Sequence, residues 1–184
     1  EMSFVGQEDI LNMFEGLVKR IFKDVKNIDY TDVVQRMTWE EAMWNYGNDK
    51  PDIRFDLEMI TLNDVFANTG FKVFKDTIDN NGVVTGLLAP GCGDYTRNQL
   101  DVLTDFVKEH GAKGLIWIRV KDNELESPTM KFFTDEEKKN LTNILGAKSG
   151  DLIFILSGLK LKTLKVCLEK ITSKELLKNL NVVL

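Results

Sequence analysis

Few residues of this 184-residue chain are of a type and spacing suited to chemistry. His110 is the only histidine, which leaves no His-based metal cluster and a single candidate base for a nucleophilic pair. It precedes Gly111 at the close of an apolar-periodic stretch, where a cation suits the helix dipole, so a structural or surface role is the plainer reading. Cys92 and Cys167 stand 75 positions apart without CxxC spacing, a usage that fits a reducing cytosol better than a disulfide scaffold or a zinc site. Pro90-Gly91-Cys92-Gly93 has the composition of a phosphate cradle in front of a helix, and equally that of an ordinary turn. The acidic pairs Glu40-Glu41 and Glu136-Glu137 fall in helix first turns, where the dipole already accounts for them. Among the cations, the segment from Leu159 to Leu184 sets six lysines against two glutamates. That local balance of +4, within a total of −5, leaves −9 on the remainder. Lys162, Lys165 and Lys170 lie off the stripe Leu161, Leu164, Leu168 and Ile171; they would either meet phosphates or solvate a helix face.

The elements that must position these residues can be read from periodicity and punctuation. A hydrophobic fraction of 43% beside 29% charged residues supports a buried core, and no apolar run approaches the length of a membrane span. The first residues show no basic region followed by an apolar one, so no secretory signal is expected. The chain opens on Glu1 and not Met, which suggests a piece of something longer. Ile10, Met13, Phe14, Leu17, Val18, Ile21 and Val25 follow the helical template, predicting an amphipathic helix over 7–26. Three capping boxes, Thr38-x-x-Glu41, Thr96-x-x-Gln99 and Thr134-x-x-Glu137, open helices that Gly47, Gly111 and Gly146 close.

Between them, Thr61 and Asp64 are expected to start a short helix ending at Gly70. Phe71-Lys72-Val73-Phe74 reads as a strand leading through Asn80-Asn81-Gly82, a hairpin signal, into a second strand over Val83–Ala89. Leu115–Val120 and Leu152–Leu156 are nearly continuous apolar strands, and a strand containing Pro128 belongs at an edge. The final stretch reads as a helix through Leu161–Ile171, with Thr172-x-x-Glu175 restarting a shorter one. Two hairpins that each feed a helix predict an α+β fold: a two-layer sandwich of an antiparallel or mixed sheet with helices on one face.

The stretch Tyr46-Gly47-Asn48-Asp49-Lys50-Pro51-Asp52-Ile53-Arg54 turns the chain from its helical front into this domain, since Gly47 ends a helix and Pro51 drives Lys50 extended. Taken with Arg36-Met37-Thr38-Trp39-x-Glu41-Ala42, it resembles the "RMTxxEA…YGSDKPDxR" run of the bacterial type of aspartyl-tRNA synthetase, with Asn48 in place of Ser. Glu1-Met2-Ser3-Phe4-Val5-x-Gln7-Glu8-Asp9 resembles the segment after that family's second class II motif. Phe71-Lys72-Val73-Phe74, Pro90-Gly91, Thr96-Arg97, Gly111-Ala112-Lys113-Gly114-Leu115, Ser127-Pro128 with Lys131-Phe132, and Gly150-Asp151 resemble, in order, its GAD insert. The likeness covers residues 1 to about 158. The Gly-Ala-Asp that names the insert is missing near Leu156-Ser157-Gly158, and the family's return into the catalytic domain is not readable after Leu159.

The resemblance implies three parts: a fragment of class II catalytic domain over 1–55, a GAD-type insert over 56–158, and a segment leading back over 159–184. It implies a parent that joins L-aspartate to ATP as aspartyl-adenylate, with Mg²⁺ helping to clamp the phosphates, and transfers aspartate to tRNA as a cytoplasmic homodimer. No catalytic, ATP-binding, aspartate-binding or metal residue of that family falls on this chain, so the chain alone is expected to be inactive and to need no cofactor. Lys162, Lys165 and Lys170 are its candidate tRNA contacts. The alternative is a free-standing GAD-type tRNA-interaction module, as in the B subunit of the tRNA-dependent amidotransferase.

Overall fold

The computed structural model describes residues 3–51, 53, 57–122 and 124–159. The chain divides into two compact units, Glu1–Met37 and Thr38–Leu184. In the first, α1 (Gln7–Lys26) runs from a Gly6 N-cap, where Asp9 accepts from the Gly6 amide at 2.8 Å, to Asn27 in the left-handed region. The expected helix is present, yet none of its residues is buried: Phe14, Leu17, Ile21 and Val25 are all exposed. Arg36 ties the following segment back to it, with its guanidinium 3.1 Å from Asn12 Oδ1 and 3.5 Å from Glu15.

The second unit opens with α2 (Trp39–Asn45) and continues through β1 (Met59–Thr61), α3 (Lys72–Asp79), β2 (Val83–Ala89), α4 (Arg97–Glu109), β3 (Ile116–Lys121), β4 (Glu124–Glu126), α5 (Asp135–Leu145) and β5 (Leu152–Gly158). The strands form one antiparallel sheet in the order β1-β2-β5-β3-β4. The α+β class and the antiparallel sheet agree with the sequence reading. The expected placement of the helices on one face does not hold. Leu152, Phe154 and Leu156 of β5 face a core with Leu87, Met59 and, from α4, Leu100, Leu103 and Val107. Ile153 and Ile155 face the other way, into a core with Val84, Ile118, Phe74 of α3, and Leu141 and Leu145 of α5. Side chains alternate along a strand, so an unbroken apolar run such as Leu152–Leu156 needs cover on both faces. All five of these residues are at most 1% exposed.

The first expected hairpin is absent. Phe71–Phe74 lies at and in the start of α3, and Asn80-Asn81-Gly82 joins that helix to β2. Four residues of alternation are too short to decide between periods; Phe71, Phe74 and Ile78 carry the helical spacing and pack on the core, while Val73 is 49% exposed. The expected helix from Thr61 to Gly70 is instead a run of turns, with Phe66 N donating to Leu62 O and Thr69 N to Phe66 O. Leu62 and Phe66 are drawn fully into the core, and Leu62 lies where a side chain on Gly86 would be. Preceding these turns, β1 is a strand that the sequence gives no alternation to announce. At the opposite edge β4 ends at Glu126, so Pro128 lies beyond the strand rather than within it. The helices expected after Leu159, with Cys167, lie outside the described residues.

The Asp151 carboxylate accepts from Gly91 N at 2.9 Å through Oδ1 and from Lys148 N at 2.8 Å through Oδ2. Losing it strands two amides, one in the turn after β2 and one in the turn before β5. Asp151→Ala is therefore expected to lower unfolding free energy by about 3 kcal/mol, read as a shifted urea midpoint with an unchanged slope.

Candidate functional site

The residues singled out for chemistry resolve into joints of the fold. His110 caps the end of α4, its Nδ1 2.8 Å from Phe106 O and its ring 4.4 Å from the Phe106 ring. The Pro90–Gly93 turn is no phosphate cradle. Gly91 N donates to Asp151, Cys92 N to Ala89 O, and Gly93 N to Gly150 O, so these amides point into the protein's own acceptors. Gly93 approaches so closely that a Cβ would stand 2.7 Å from Gly150 O. The Cys92 thiol is buried and pushed up from its ordinary range by burial, which disfavours the reactive thiolate.

The capping boxes close with the geometry their spacing dictates. Thr96 accepts from Gln99 N, while Gln99 Oε1 accepts from Thr96 N at 2.8 Å. Glu137 is buried because its carboxylate turns back onto Thr134 N at 2.7 Å. In α2 the Glu41 carboxylate accepts from Thr38 N at 2.7 Å and from Thr38 Oγ1 at 2.9 Å. These bonds favour the charged form, the backbone one most, and hold Glu41 below the ordinary carboxylate range. Gly47 follows at φ +75°, Asn48 Oδ1 accepts from Lys50 N, and Tyr46 Oη donates to Glu58 at 2.8 Å. The described part of the polar turn is thus a bonded corner, and Tyr46 ties it to Glu58 just before β1.

One cluster had no counterpart in the sequence reading. Arg119 extends from β3 with its guanidinium 5.1 Å from the Trp117 ring centre, donates to Tyr95 O at 2.6 Å, and lies 3.7 Å from Glu126 on β4. Arg97, in the first turn of α4, lies 5.7 Å from the same ring and bonds Asp101. A cation inside an otherwise apolar strand is the signal that could have marked it. Its chemistry is that of a cross-link between β3, β4 and the start of α4, since Glu126 and Asp101 match the two arginines. Lys121 bonds Glu126 at 2.9 Å and holds that carboxyl below its usual range.

The signature pairs also meet in space. Phe71 stacks on Phe132 with ring centres 5.3 Å apart, and Lys131 lies over Phe132. Pro90-Gly91 meets Gly150-Asp151 through the carboxylate clamp. Lys162, Lys165 and Lys170 lie outside the described residues. Among the described residues, no group of three or more His, Cys, Asp or Glu side chains could hold a metal ion, and no helix is long and apolar enough to cross a membrane.

Fold and joints together define an α+β domain carried on a five-stranded antiparallel sheet. Residues 74–167, half of the sequence, match the GAD domain model, and the chain belongs to the GAD domain family. It is 48% identical over 161 residues to the aspartate–tRNA ligase of Parabacteroides distasonis, covering 86% of this chain and 27% of that protein. It is 46% identical over 158 residues to the aspartate–tRNA ligase of Staphylococcus haemolyticus, covering 85% and 27%. The aspartate–tRNA ligase of Clostridium tetani matches at 46% over 165 residues, 90% of this chain and 28% of its own length. The chain thus spans about a quarter of the length of these curated relatives.

Because Glu41 is held below the ordinary carboxylate value, its contribution to stability is present above that value and fades as pH falls through the lowered one. Thr38→Ala removes the hydroxyl half of the box. The Glu41 side chain followed by NMR should then titrate closer to an ordinary glutamate, with α2 less helical. An unchanged titration would show that the Thr38 hydroxyl does not help to set this carboxyl.

Proposed function

We propose that this chain is part of an aspartate–tRNA ligase, a class II aminoacyl-tRNA synthetase. The enzyme would activate L-aspartate with ATP as aspartyl-adenylate and pass aspartate to tRNA. The carrying observation is the identity of 46–48% with such ligases over 85–86% of the chain, a span wider than the GAD match alone. A span of that length must begin well before residue 74, where the GAD match starts, and so favours a synthetase over a free-standing GAD module. In this reading residues 1–55 belong to the catalytic domain, 56–158 are the GAD-type insert, and 159–184 lead back toward the catalytic domain. Aspartate, ATP and Mg²⁺ are ligands of the longer enzyme, which works in the cytoplasm as a homodimer. The residues of this chain position an insert and leave activation chemistry to other parts.

The reading has a direct test. The full-length protein should exchange pyrophosphate into ATP in an aspartate-dependent manner, while the 184-residue chain should not. Exchange by the chain alone, or its absence from a folded full-length protein, would overturn this assignment.

Lys162, Lys165 and Lys170 are the proposed tRNA contacts. In this reading their phosphate bonds would give weak, sequence-independent binding that falls steeply with salt. Titrating tRNA into the chain at low and moderate salt should show such binding, and Lys162→Ala, Lys165→Ala and Lys170→Ala together should abolish it. Binding indifferent to those changes would leave the lysines as a solvated surface.

A further inference from the structure

Asn63 stands in for a missing piece of the sheet. β1 ends at Thr61, opposite Thr85, while β2 begins two residues earlier at Val83. Beyond the end of β1, Leu62 N donates to Val84 O at 2.8 Å, and then the Asn63 carboxamide takes over the role of backbone. Its Oδ1 accepts from Val84 N at 2.8 Å and its Nδ2 donates to Gly82 O at 3.0 Å. Gly82 N donates to Thr77 O at 2.8 Å, so both polar groups of Gly82 are held. The residue is buried, and a Cβ there would stand 2.8 Å from Thr77 O and 2.9 Å from Gly158 O.

Immediately before it, Asn81 is exposed at φ +56°. In an Asn-Gly pair the glycine has no side chain to hinder attack by its own backbone nitrogen on the asparagine carboxamide. Gly82 N is already engaged as a donor to Thr77 O, and that bond must open before the nitrogen can be deprotonated and attack.

We propose that Asn81–Gly82 is a deamidation site that the fold keeps closed, with Asn63 as the residue that guards it. In the reaction the Gly82 nitrogen gives its proton to base and forms a bond to Asn81 Cγ. The Cγ–Nδ2 bond breaks, and ammonia leaves with a proton taken from solvent. Water then opens the cyclic imide to aspartate or isoaspartate at position 81, so one water is consumed and one ammonia released. In the native chain Thr77 O holds the proton that must leave, and Asn63 holds the carbonyl end of the same residue. Isoaspartate also lengthens the main chain by a methylene, directly before a glycine whose surroundings leave no slack. The site therefore reacts through openings of the start of β2, and its rate reports how often that strand lets go.

The test is mass spectrometry of the peptide containing Asn81 after incubation of the 184-residue chain in mild alkali, with and without urea. The native chain should deamidate there at least about tenfold more slowly than the unfolded one, since reaction must wait for local opening. Asn63→Ala should accelerate the native reaction several-fold, with circular dichroism confirming that the variant remains folded. Asn63→Asp, which keeps an acceptor for Val84 N and loses the donor to Gly82 O, provides a second folded variant and should also accelerate it. Equal rates in native and unfolded chains would overturn the proposal. So would folded Asn63 variants that react no faster than the unaltered chain.

Discussion

The carboxylate of Asp151 is the tie on which the sheet depends. β5 is the central strand, between β2 along its whole length and β3 along its first four residues, and the turn before it must be fixed against these neighbours. Asp151 does this with two oxygens, one taking the Gly91 amide and the other the Lys148 amide. Its backbone joins in: Asp151 O accepts from Val120 N, and Gly150 N donates to Val120 O. The residue therefore links the turn after β2, the turn before β5 and the end of β3. A charged acceptor serving two amides is worth more than two neutral bonds, and leaving those amides unpaired costs more still. Close approach of Gly93 to Gly150 follows from the same junction.

Much of this architecture was legible because its signals were redundant. α1, α2, α4 and α5 each announced themselves through periodicity or a capping box, and the boxes closed as their spacing required. Three capping-box helices and the β2, β3 and β5 strands stand where the sequence put them. The misreadings share a cause: short segments carry too few residues to fix a period. Phe71–Phe74 alternates for one cycle, and only Ile78 shows that the repeat is helical. Leu62–Thr69 has helical starts but is drawn into turns by the burial of Leu62 and Phe66. The distribution of helices over both faces was written in Leu152–Leu156, whose unbroken apolar run excludes a solvated face.

The candidate site was less legible, for a different reason. The residues carrying the family resemblance are the ones that make the corners: Gly47, Gly91, Thr96, Phe132 and Asp151. Short signature motifs draw attention as if they were chemistry, but here they mark places where the backbone has few alternatives. Arg119 shows the converse case. It lies in an apolar strand without a motif, and only the paired register of β3 and β4, with Tyr95 near the start of α4, shows what holds its charge. A single-sequence pattern contains no information about which carbonyl will face a half-buried guanidinium.

The directions of the strands carry a mechanical consequence. β1 and β5 both run antiparallel to β2, and so they point the same way, with Met59 level with Phe154 and Gly158 level with Val83. The backbone therefore joins the sheet near one end of its strands, at Met59, and departs at the opposite end, beyond Gly158. Along the strand direction, the four residues from Phe154 to Gly158 separate these levels by about 13 Å. With two strand spacings across, the points of attachment lie roughly 16 Å apart. The two points where the backbone enters and leaves the sheet are thus separated both along and across the strands. Tension at Met59 would load the pairing of β1 with β2, and tension beyond Gly158 would load the central strand β5.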